Sequence, residues 1–234
     1  MNPVLKRTLT GLSIGLAVIA AALLAPPVAI KPVVALVALA AVAEFVALLH
    51  KKRPQWTVGT VLAGFIGAAV ILGGLLALAK IATCDGDATC GPFRLGNVML
   101  LYVIAIVKFS DVGGFAFGLT SAKLMKGGNH KMCPSISPGK SWEGMAGSIL
   151  ASCLVSCGFM GATGFSLAKS LACGVTAAVV GTCGDLIESK FKRWVGVKDS
   201  STLKITNGMG GILDMVDSLL LAPAALGLLM GAAF

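Results

Sequence analysis

The stretch TVGTVLAGFIGAAVILGGLLALA, residues 57–79, runs for 23 residues without a charged side chain. A helix needs about 20 predominantly apolar residues to cross the hydrocarbon core of a bilayer. The whole chain has the same character, since 56% of its 234 residues are hydrophobic, 12% are charged and the mean hydropathy is +0.91. Soluble domains carry about 25% charged residues. Half that share leaves too little polar surface to coat a water-exposed globule, so we predict an integral membrane protein.

Seven apolar runs of this kind can be traced along the chain, and they predict an all-α, polytopic bundle of about seven transmembrane helices. The spans lie near 8–28, 30–49, 57–79, 95–117, 145–162, 166–186 and 212–233. The first run follows Lys6 and Arg7, a pattern that a cleaved signal peptide also shows. Because further apolar segments follow, a first transmembrane helix is the better interpretation.

The basic residues are distributed asymmetrically between the connecting segments. With the N-terminus in the cytoplasm, the inner segments hold 14 of the 19 Lys and Arg residues, the outer segments hold four, and Lys108 lies inside a span. The positive-inside rule therefore predicts a cytoplasmic N-terminus in the inner membrane and, with seven spans, an outer C-terminus. Two inner loops, about 118–144 and 187–211, are long and polar, and long loops in compact proteins are usually functional.

The net charge of +9 raises the question of nucleic-acid binding. Topology and anionic lipid account for basic loops at least as well, and the sequence has no aromatic-rich RNA platform, so nucleic acid is excluded as a partner. Cys84 and Cys90 flank a polar outer segment, where a disulfide is compatible with the compartment. A metal site there is less favoured because no His accompanies the pair.

The stretch GDLIESKFKRWVGVKDSSTLKITNGMGGILDMVDSL, residues 184–219, holds five of the ten acidic residues. Asp185 and Glu188 are one helical turn apart, and so are Asp214 and Asp217. Carboxylates at the end of an apolar helix are costly to desolvate and need a cation or a basic partner. The surrounding basic residues are Lys190, Lys192, Arg193 and Lys198.

Two interpretations of these carboxylates compete. They are either solvated helix ends paired with nearby lysines, or ligands of Mg²⁺, which prefers hard oxygens and often takes one or two carboxylates plus substrate phosphates. Gly210 and Gly211 let the backbone approach a phosphate, and the N-terminus of the last helix favours an anion. Together these features favour a Mg²⁺ site at Asp185, Asp214 and Asp217, with Asp214 as the strongest ligand candidate.

This stretch closely resembles the C-terminal motif of CDP-diacylglycerol synthases (phosphatidate cytidylyltransferases), S-x-x-K-R-x4-K-D followed by H-G-G-x-L-D-R-x-D. The matching residues are Ser189, Lys192, Arg193, Lys198, Asp199, Gly210, Gly211, Leu213, Asp214 and Asp217. Met209 stands where the family usually has His, and Met215 where it has Arg. The segment between Asp199 and Gly210 is about two residues longer than is usual in the family. These departures remove candidate phosphate contacts and leave every acidic position in place.

The earlier polar loop resembles the upstream motif of the same family, D-x-x-x-Y-x-x-G-x-x-x-G-K followed by S-P-x-K-T-x-E-G. The matching residues are Asp111, Gly118, Lys123, Ser137, Pro138, Lys140, Glu143 and Gly144. Lysines bind phosphates as point charges. For Lys140, in its compact turn, we favour that role, whereas Lys126 and Lys131 are interpreted as topology-setting. Asp111 and Lys108 lie one turn apart, so a structural ion pair and a functional role are weighed equally.

The resemblance implies the reaction CTP + phosphatidate → CDP-diacylglycerol + pyrophosphate, in phospholipid biosynthesis, with Mg²⁺ as cofactor and a second cation left open. The sequence shows no internal repeat, linker or second domain, so we expect one membrane domain over 1–234, with N-terminal helices in 1–94 and catalytic helices and loops in 95–234. The site is expected on the cytoplasmic side of the inner membrane, where membrane lipids surround it, and a homodimer is left open. The residues given catalytic roles are Lys192, Arg193, Lys198 and Asp199; those given substrate contacts are Ser189, Lys140, Ser137, Lys123, Gly210 and Gly211.

Two alternatives stay open from the sequence. One is a related CTP-using membrane enzyme that acts on another lipid, such as a polyprenol kinase or a CDP-archaeol synthase. The other is a transporter that uses the intramembrane residues Glu44, Lys108 and Asp111. Transporters usually show repeats or paired broken helices, and the sequence shows neither.

Overall fold

The computed structural model describes residues 19–52, 57–83, 88–197 and 211–231. Residues 19–24 are helical, and eight labelled helices follow in chain order. They are α1 Pro27–Lys52, α2 Val58–Ile81, α3 Leu95–Leu124, α4 Trp142–Gly158, α5 Met160–Thr163, α6 Leu167–Val195, α7 Ile212–Val216 and α8 Ala222–Met230. Two small antiparallel hairpins pair β1 Thr89–Cys90 with β2 Phe93–Arg94, and β3 Lys131–Cys133 with β4 Ser137–Ser141. Cys84 lies outside the described residues, so the Cys84–Cys90 disulfide stays a prediction.

Five segments of the described chain are long and apolar enough to cross a membrane. They are Val28–His50, Val58–Ile81, Leu95–Leu124, Leu167–Val195 and Ile212–Met230. They coincide with five predicted spans and confirm a multi-pass helical membrane protein. The predicted span 145–162 corresponds to α4 and α5, and α4 alone has 17 residues, at the short end of what a bilayer requires. The predicted span 8–28 lies largely outside the described residues, so the count of seven stays a prediction.

Two helices continue well past the predicted ends of their spans. α3 runs to Leu124 and α6 to Val195, so the predicted starts of the polar loops, 118 and 187, were wrong. Lys, Glu and Arg end an apolar run but are good helix formers, and the 29 residues of α6 extend about 43 Å at 1.5 Å per residue. α6 ends where Gly196 adopts a left-handed conformation, with φ of 77°. The charged residues of the second loop therefore stand on a rigid helix.

Small residues bring α3, α4 and α6 into close contact. A Cβ atom on Gly113 of α3 would lie 2.5 Å from the carbonyl oxygen of Gly147 on α4, and one on Gly174 of α6 would lie 2.7 Å from the Cα of Cys153 on α4. The hydroxyl of Ser152 donates to the carbonyl oxygen of Gly174 over 2.9 Å. Close backbone approach through small residues is how helices associate in a bilayer, and here it fixes the three helices that carry most of the site.

The last span is broken rather than continuous, unlike the single helix predicted over 212–233. α7 ends at Val216, a 3₁₀ turn covers Asp217–Leu219, and α8 begins at Ala222 with Pro223 in its first turn. Proline favours the start of a helix because it lacks the amide hydrogen that would be unpaired there. The break packs against Gly184 of α6, where an added Cβ would lie 2.7 Å from the carbonyl oxygen of Asp217. Only glycine at 184 lets this turn approach α6.

Candidate active site

A cavity of about 400 Å³ lies between α3, the β3–β4 hairpin, α4, α6 and the broken last span. Its charged lining consists of two lysines and four carboxylates. These are Lys108, Lys140, Asp111, Asp185, Asp214 and Asp217. The cavity therefore brings together three acidic residues of the second polar stretch, Asp185, Asp214 and Asp217, and Lys140 of the first.

Three carboxylates form a compact cluster that could hold a metal ion. Asp185, Glu188 and Asp217 each offer an oxygen, and these oxygens lie within 4.8 Å of one another. Oxygens bound about 2.1 Å from one Mg²⁺ ion lie within about 4.2 Å of each other, so small side-chain adjustments bring this set into range. Asp185 and Glu188 are one turn apart on α6, and the break beside Gly184 brings Asp217 to them. The donor set, all hard oxygens, suits Mg²⁺.

Asp214 lies in the same cavity but makes different contacts. Its Oδ1 accepts a hydrogen bond from Lys192 Nζ over 2.6 Å, and its Oδ2 accepts one from the amide of Gly211 over 3.0 Å, which caps α7. Lys192 Nζ also lies 2.6 Å from Glu188 Oε2. The compact cluster thus contains Glu188 where the sequence placed Asp214, and Lys192 connects the two. The sequence-based prediction assigned no role to Glu188, which is only 4% exposed. Its spacing of one helical turn from Asp185 was the feature that could have identified it as a ligand candidate.

The β3–β4 hairpin places Lys140 over α6. Lys140 Nζ lies 2.5 Å from Asp185 Oδ2 and donates to the carbonyl oxygen of Thr182 over 3.2 Å. Ser137, at the start of β4, lines the cavity too. On the other side of the site, Arg193 Nε donates to the carbonyl oxygen of Ile136 over 3.4 Å. The hairpin is therefore tied to α6 at two points, Lys140 on β4 and Ile136 in the turn.

His130, which had no predicted role, holds the base of the hairpin. Its Nδ1 lies 2.6 Å from Glu143 Oε1, and its amide donates to both Glu143 oxygens over 3.2 Å. Its carbonyl oxygen accepts from the amide of Trp142 over 3.0 Å. Glu143 lies outside the predicted span 145–162. The hydrogen bond from the His130 side chain lowers the pKa of the Glu143 carboxyl to about 2. The acidic position of the upstream motif thus has a structural partner 13 residues earlier.

The intramembrane pair Lys108 and Asp111 lies at the wall of the cavity. Their Nζ and Oδ2 atoms are 3.6 Å apart, and Asp111 Oδ2 accepts from the hydroxyl of Ser218 over 3.0 Å. The ion pair that the spacing offered as an alternative is present. It is also part of the site, because Ser218 belongs to the turn that carries Asp217.

The other predicted site residues are placed less centrally. Ser189 is half-buried on α6, and Lys123 lies in the last turn of α3, away from the residues that line the cavity. Gly211 begins α7 and its amide binds Asp214. Lys198, Asp199 and Gly210 lie outside the described residues, as does Met209, so their roles stay predictions.

Residues 75–232, well over half of the chain, match the profile of the cytidylyltransferase family. The chain belongs to the cytidylyltransferase family. The resemblance to CDP-diacylglycerol synthases that the two motifs carry is thereby confirmed at the level of the family. The matched region contains the whole cavity lining and leaves out α1 and most of α2.

Three curated relatives share the name phosphatidate cytidylyltransferase. The protein from Staphylococcus aureus strain COL is 39% identical over 133 residues, 56% of this chain and 48% of that protein. The protein from Staphylococcus saprophyticus is 38% identical over 133 residues, with the same shares. The protein from Haemophilus influenzae is 36% identical over 130 residues, 53% of this chain and 42% of that protein. The chain spans about half the length of the curated relatives it matches.

Proposed function

We propose that this protein is a membrane-bound nucleotidyltransferase that joins CTP to phosphatidate, giving CDP-diacylglycerol and pyrophosphate for phospholipid biosynthesis. The observation that carries the proposal is the cluster of Asp185, Glu188 and Asp217 at a cavity of about 400 Å³ among membrane helices, with Lys140 paired to Asp185. A site for two polyanions needs clustered positive charge and a divalent cation, and both can be held here. The name shared by the relatives supports the choice of substrates.

The reaction needs no dedicated base. The second pKa of a phosphate monoester is about 6, so phosphatidate is already a dianion for the most part at neutral pH. One of its oxygens attacks the α-phosphorus of CTP, the bond from that phosphorus to the α–β bridging oxygen breaks, and pyrophosphate leaves with the bonding electrons. Catalysis then consists of holding two anions together and stabilising the charge that develops on the leaving group.

The cluster of Asp185, Glu188 and Asp217 would hold Mg²⁺, and Asp214, the ligand candidate that the sequence favours most, lies beside this cluster in the same cavity. Bound there, the ion would neutralise negative charge on the phosphates. A second cation could join it. Lys140 is the mobile element of this scheme. Its partner Asp185 would be engaged by the ion, and Lys140 would turn from that carboxylate to a substrate phosphate.

The remaining predicted residues receive roles by position. Lys192 and Arg193 would stabilise phosphate charge from α6, with Lys198 and Asp199 next to them in sequence. Contacts to CTP or to the lipid head group are assigned to Ser189, Ser137, Lys123, Gly210 and Gly211.

Phosphatidate would enter sideways from the bilayer and CTP from the cytoplasm. Phe115 lines the cavity and is 71% exposed, which gives the site an apolar edge suited to acyl chains. The excess of basic residues in the predicted inner segments supports a site on the cytoplasmic side of the inner membrane. A monomer and a homodimer are both compatible with this arrangement.

The product in which each labelled phosphate of CTP appears distinguishes the candidate reactions. Purified protein in lipid nanodiscs is incubated with phosphatidate, Mg²⁺ and CTP labelled in either the α- or the γ-phosphate. The proposal predicts that α-label enters the lipid and γ-label appears in pyrophosphate. A polyprenol-kinase type of reaction would instead put γ-label into a lipid and release CDP. Exchange of phosphatidate for a polyprenol or an archaeal-type ether phosphatidate tests the lipid. Solute uptake by proteoliposomes without nucleotide would favour a transporter.

A further inference from the structure

The five-residue helix α7 has a charged side chain from another helix at each end. Glu44 of α1 contacts its N-terminal end, and Lys108 of α3 contacts its C-terminal end. We propose that Glu44 and Lys108 are positioning residues, which hold α7 and thereby set the places of Asp214 and Asp217 in the site. This inference rests on the proposed function and extends it to α1, which lies outside the region matched by the family profile.

Glu44 is buried to 1% exposure within the span Val28–His50. Its Oε2 accepts a hydrogen bond from the amide of Leu213 over 2.9 Å. The first amides of a helix have no partner within the helix, and an anion near them is favourable. An acidic side chain inside a membrane is costly and is retained where it has a specific partner. That partner here is the backbone next to Asp214.

The neighbourhood of Glu44 makes the contact a rigid one. Phe45, Leu48 and Leu213 belong to one buried apolar cluster, and each is at most 5% exposed. The ring of Phe45 stacks on that of Phe191 of α6, with centroids 4.4 Å apart. α1 therefore touches both elements that supply the carboxylates, α6 by apolar packing and α7 by apolar packing at Leu213 and by the hydrogen bond to Glu44.

Lys108 makes the complementary contacts at the other end of α7. Its Nζ donates to the carbonyl oxygen of Met215 over 3.0 Å and to the hydroxyl of Ser218 over 2.9 Å. Carbonyl groups in the last turn of a helix lack partners within it, and a cation there is favourable. The turn that carries Asp217 begins two residues after Met215, so Lys108 fixes the approach of that carboxylate to α6.

A helix as short as α7 is not stable alone. Its amides and carbonyls need partners, and its position depends on the groups that supply them. With Glu44 at Leu213 and Lys108 at Met215, the two contacts lie on either side of Asp214. Loss of either contact is expected to loosen this segment while leaving α4 and α6 packed through their small residues.

The experiment compares Glu44→Leu with Glu44→Gln, in the full-length protein in nanodiscs. Glutamine keeps an oxygen acceptor for the Leu213 amide, whereas leucine removes it. Leu48→Ala is the matched control, because it loosens the same apolar cluster and leaves the hydrogen bond from the Leu213 amide to Glu44 in place. Three measurements are made on each protein: amide hydrogen exchange over 211–219, Mn²⁺ affinity by electron paramagnetic resonance, and the Mg²⁺ concentration for half-maximal CDP-lipid formation.

For Glu44→Leu we expect exchange over 211–216 to accelerate by about tenfold, and Mn²⁺ and Mg²⁺ to bind about tenfold more weakly. Glu44→Gln should stay within about threefold of the unaltered protein, and Leu48→Ala should lower the melting temperature without this pattern. Lys108→Met should accelerate exchange over 215–219, and Lys108→Arg should restore it in part. If Glu44→Leu matches Leu48→Ala in all three measurements, or Lys108→Met leaves exchange unchanged, the positioning role is overturned. If the unaltered protein forms no CDP-lipid, the proposed function fails, while exchange and Mn²⁺ binding still decide the role of Glu44.

Discussion

Replacement of Lys192 by methionine tests how the two halves of the site are held together. Lys192 Nζ lies 2.6 Å from Glu188 Oε2 and 2.6 Å from Asp214 Oδ1, and its side chain is only 12% exposed. Methionine keeps the apolar stem and removes the charge, so it leaves a nearly buried carboxylate on α6 without this cation. Removal of one partner of a buried ion pair costs about 3–5 kcal/mol. We expect a loss of that size in the free energy of unfolding.

The assay is unfolding of the purified protein by SDS, followed through helical circular dichroism, in the absence and in the presence of saturating Mg²⁺. Without Mg²⁺ the Lys192→Met protein should show the full loss. With Mg²⁺ part of the loss should be recovered, because the ion supplies positive charge to the same carboxylates. Lys190→Met is the matched control, since Lys190 lies on the same helix and is exposed; it should change stability by less than about 1 kcal/mol.

A second variant separates the ion pair from the lysine itself. The double variant Lys192→Met/Glu188→Gln should be less destabilised than the sum of the two single variants. Glu188 is the more buried of the two carboxylates that contact Lys192, and in the double variant it carries no charge. Two results would refute the reasoning. One is a stability change for Lys192→Met no larger than that of Lys190→Met, and the other is strict additivity in the double variant.

Three further predictions follow from other contacts. Gly113→Val should prevent close packing of α3 and α4, so that no folded protein elutes from size-exclusion chromatography. Gly158→Ala should behave as the unaltered protein, because a Cβ added there meets nothing within 4 Å. Normal elution of Gly113→Val would contradict the packing. His130→Ala should loosen the hairpin and raise the KM for CTP through Lys140 with a smaller change in kcat, and an unchanged KM would argue against this support. Because the pKa of Glu143 is lowered to about 2 in the folded protein from an ordinary value of about 4.3, its charged form stabilises the hairpin fully above about pH 5. That stabilisation is lost as the pH falls towards 2, so the difference in hydrogen exchange over 129–142 between the unaltered protein and Glu143→Gln should shrink below about pH 4; a constant difference down to pH 2 would contradict it.

The membrane helices could be predicted because a bilayer imposes length and composition on every helix that crosses it. Five described segments lie where apolar runs placed them. The ends of α3 and α6 could not be predicted in this way, because hydropathy marks where the bilayer ends and not where the helix does. The break at Asp217–Leu219 was also missed. The break lies within Ile212–Met230, a segment that is apolar on average, and what permits the turn is the absence of a side chain at Gly184, on a different helix.

The site was predicted as a collection of residues and not as a geometry. Lys140, Asp185, Asp214 and Asp217 of the two motifs line one cavity, and their roles stay predictions. The sequence predicted Asp214 as a metal ligand, but the compact cluster contains Glu188 instead. Lys192 contacts both carboxylates. The contact of Glu44 with the Leu213 amide joins residues 169 positions apart, and local spacing carries no information about such a pair.

The central claim is that the carboxylates around Asp217 hold a Mg²⁺ ion used to join CTP to phosphatidate. The most direct measurement is the transfer of α-label from CTP to lipid by the purified protein, with EDTA or Mg²⁺, for the unaltered protein, Asp214→Asn and Asp217→Asn. We expect CDP-diacylglycerol and an equal amount of pyrophosphate only when Mg²⁺ is present, and loss of both products in the two variants. Full activity of Asp217→Asn, or transfer that continues in EDTA, would contradict it.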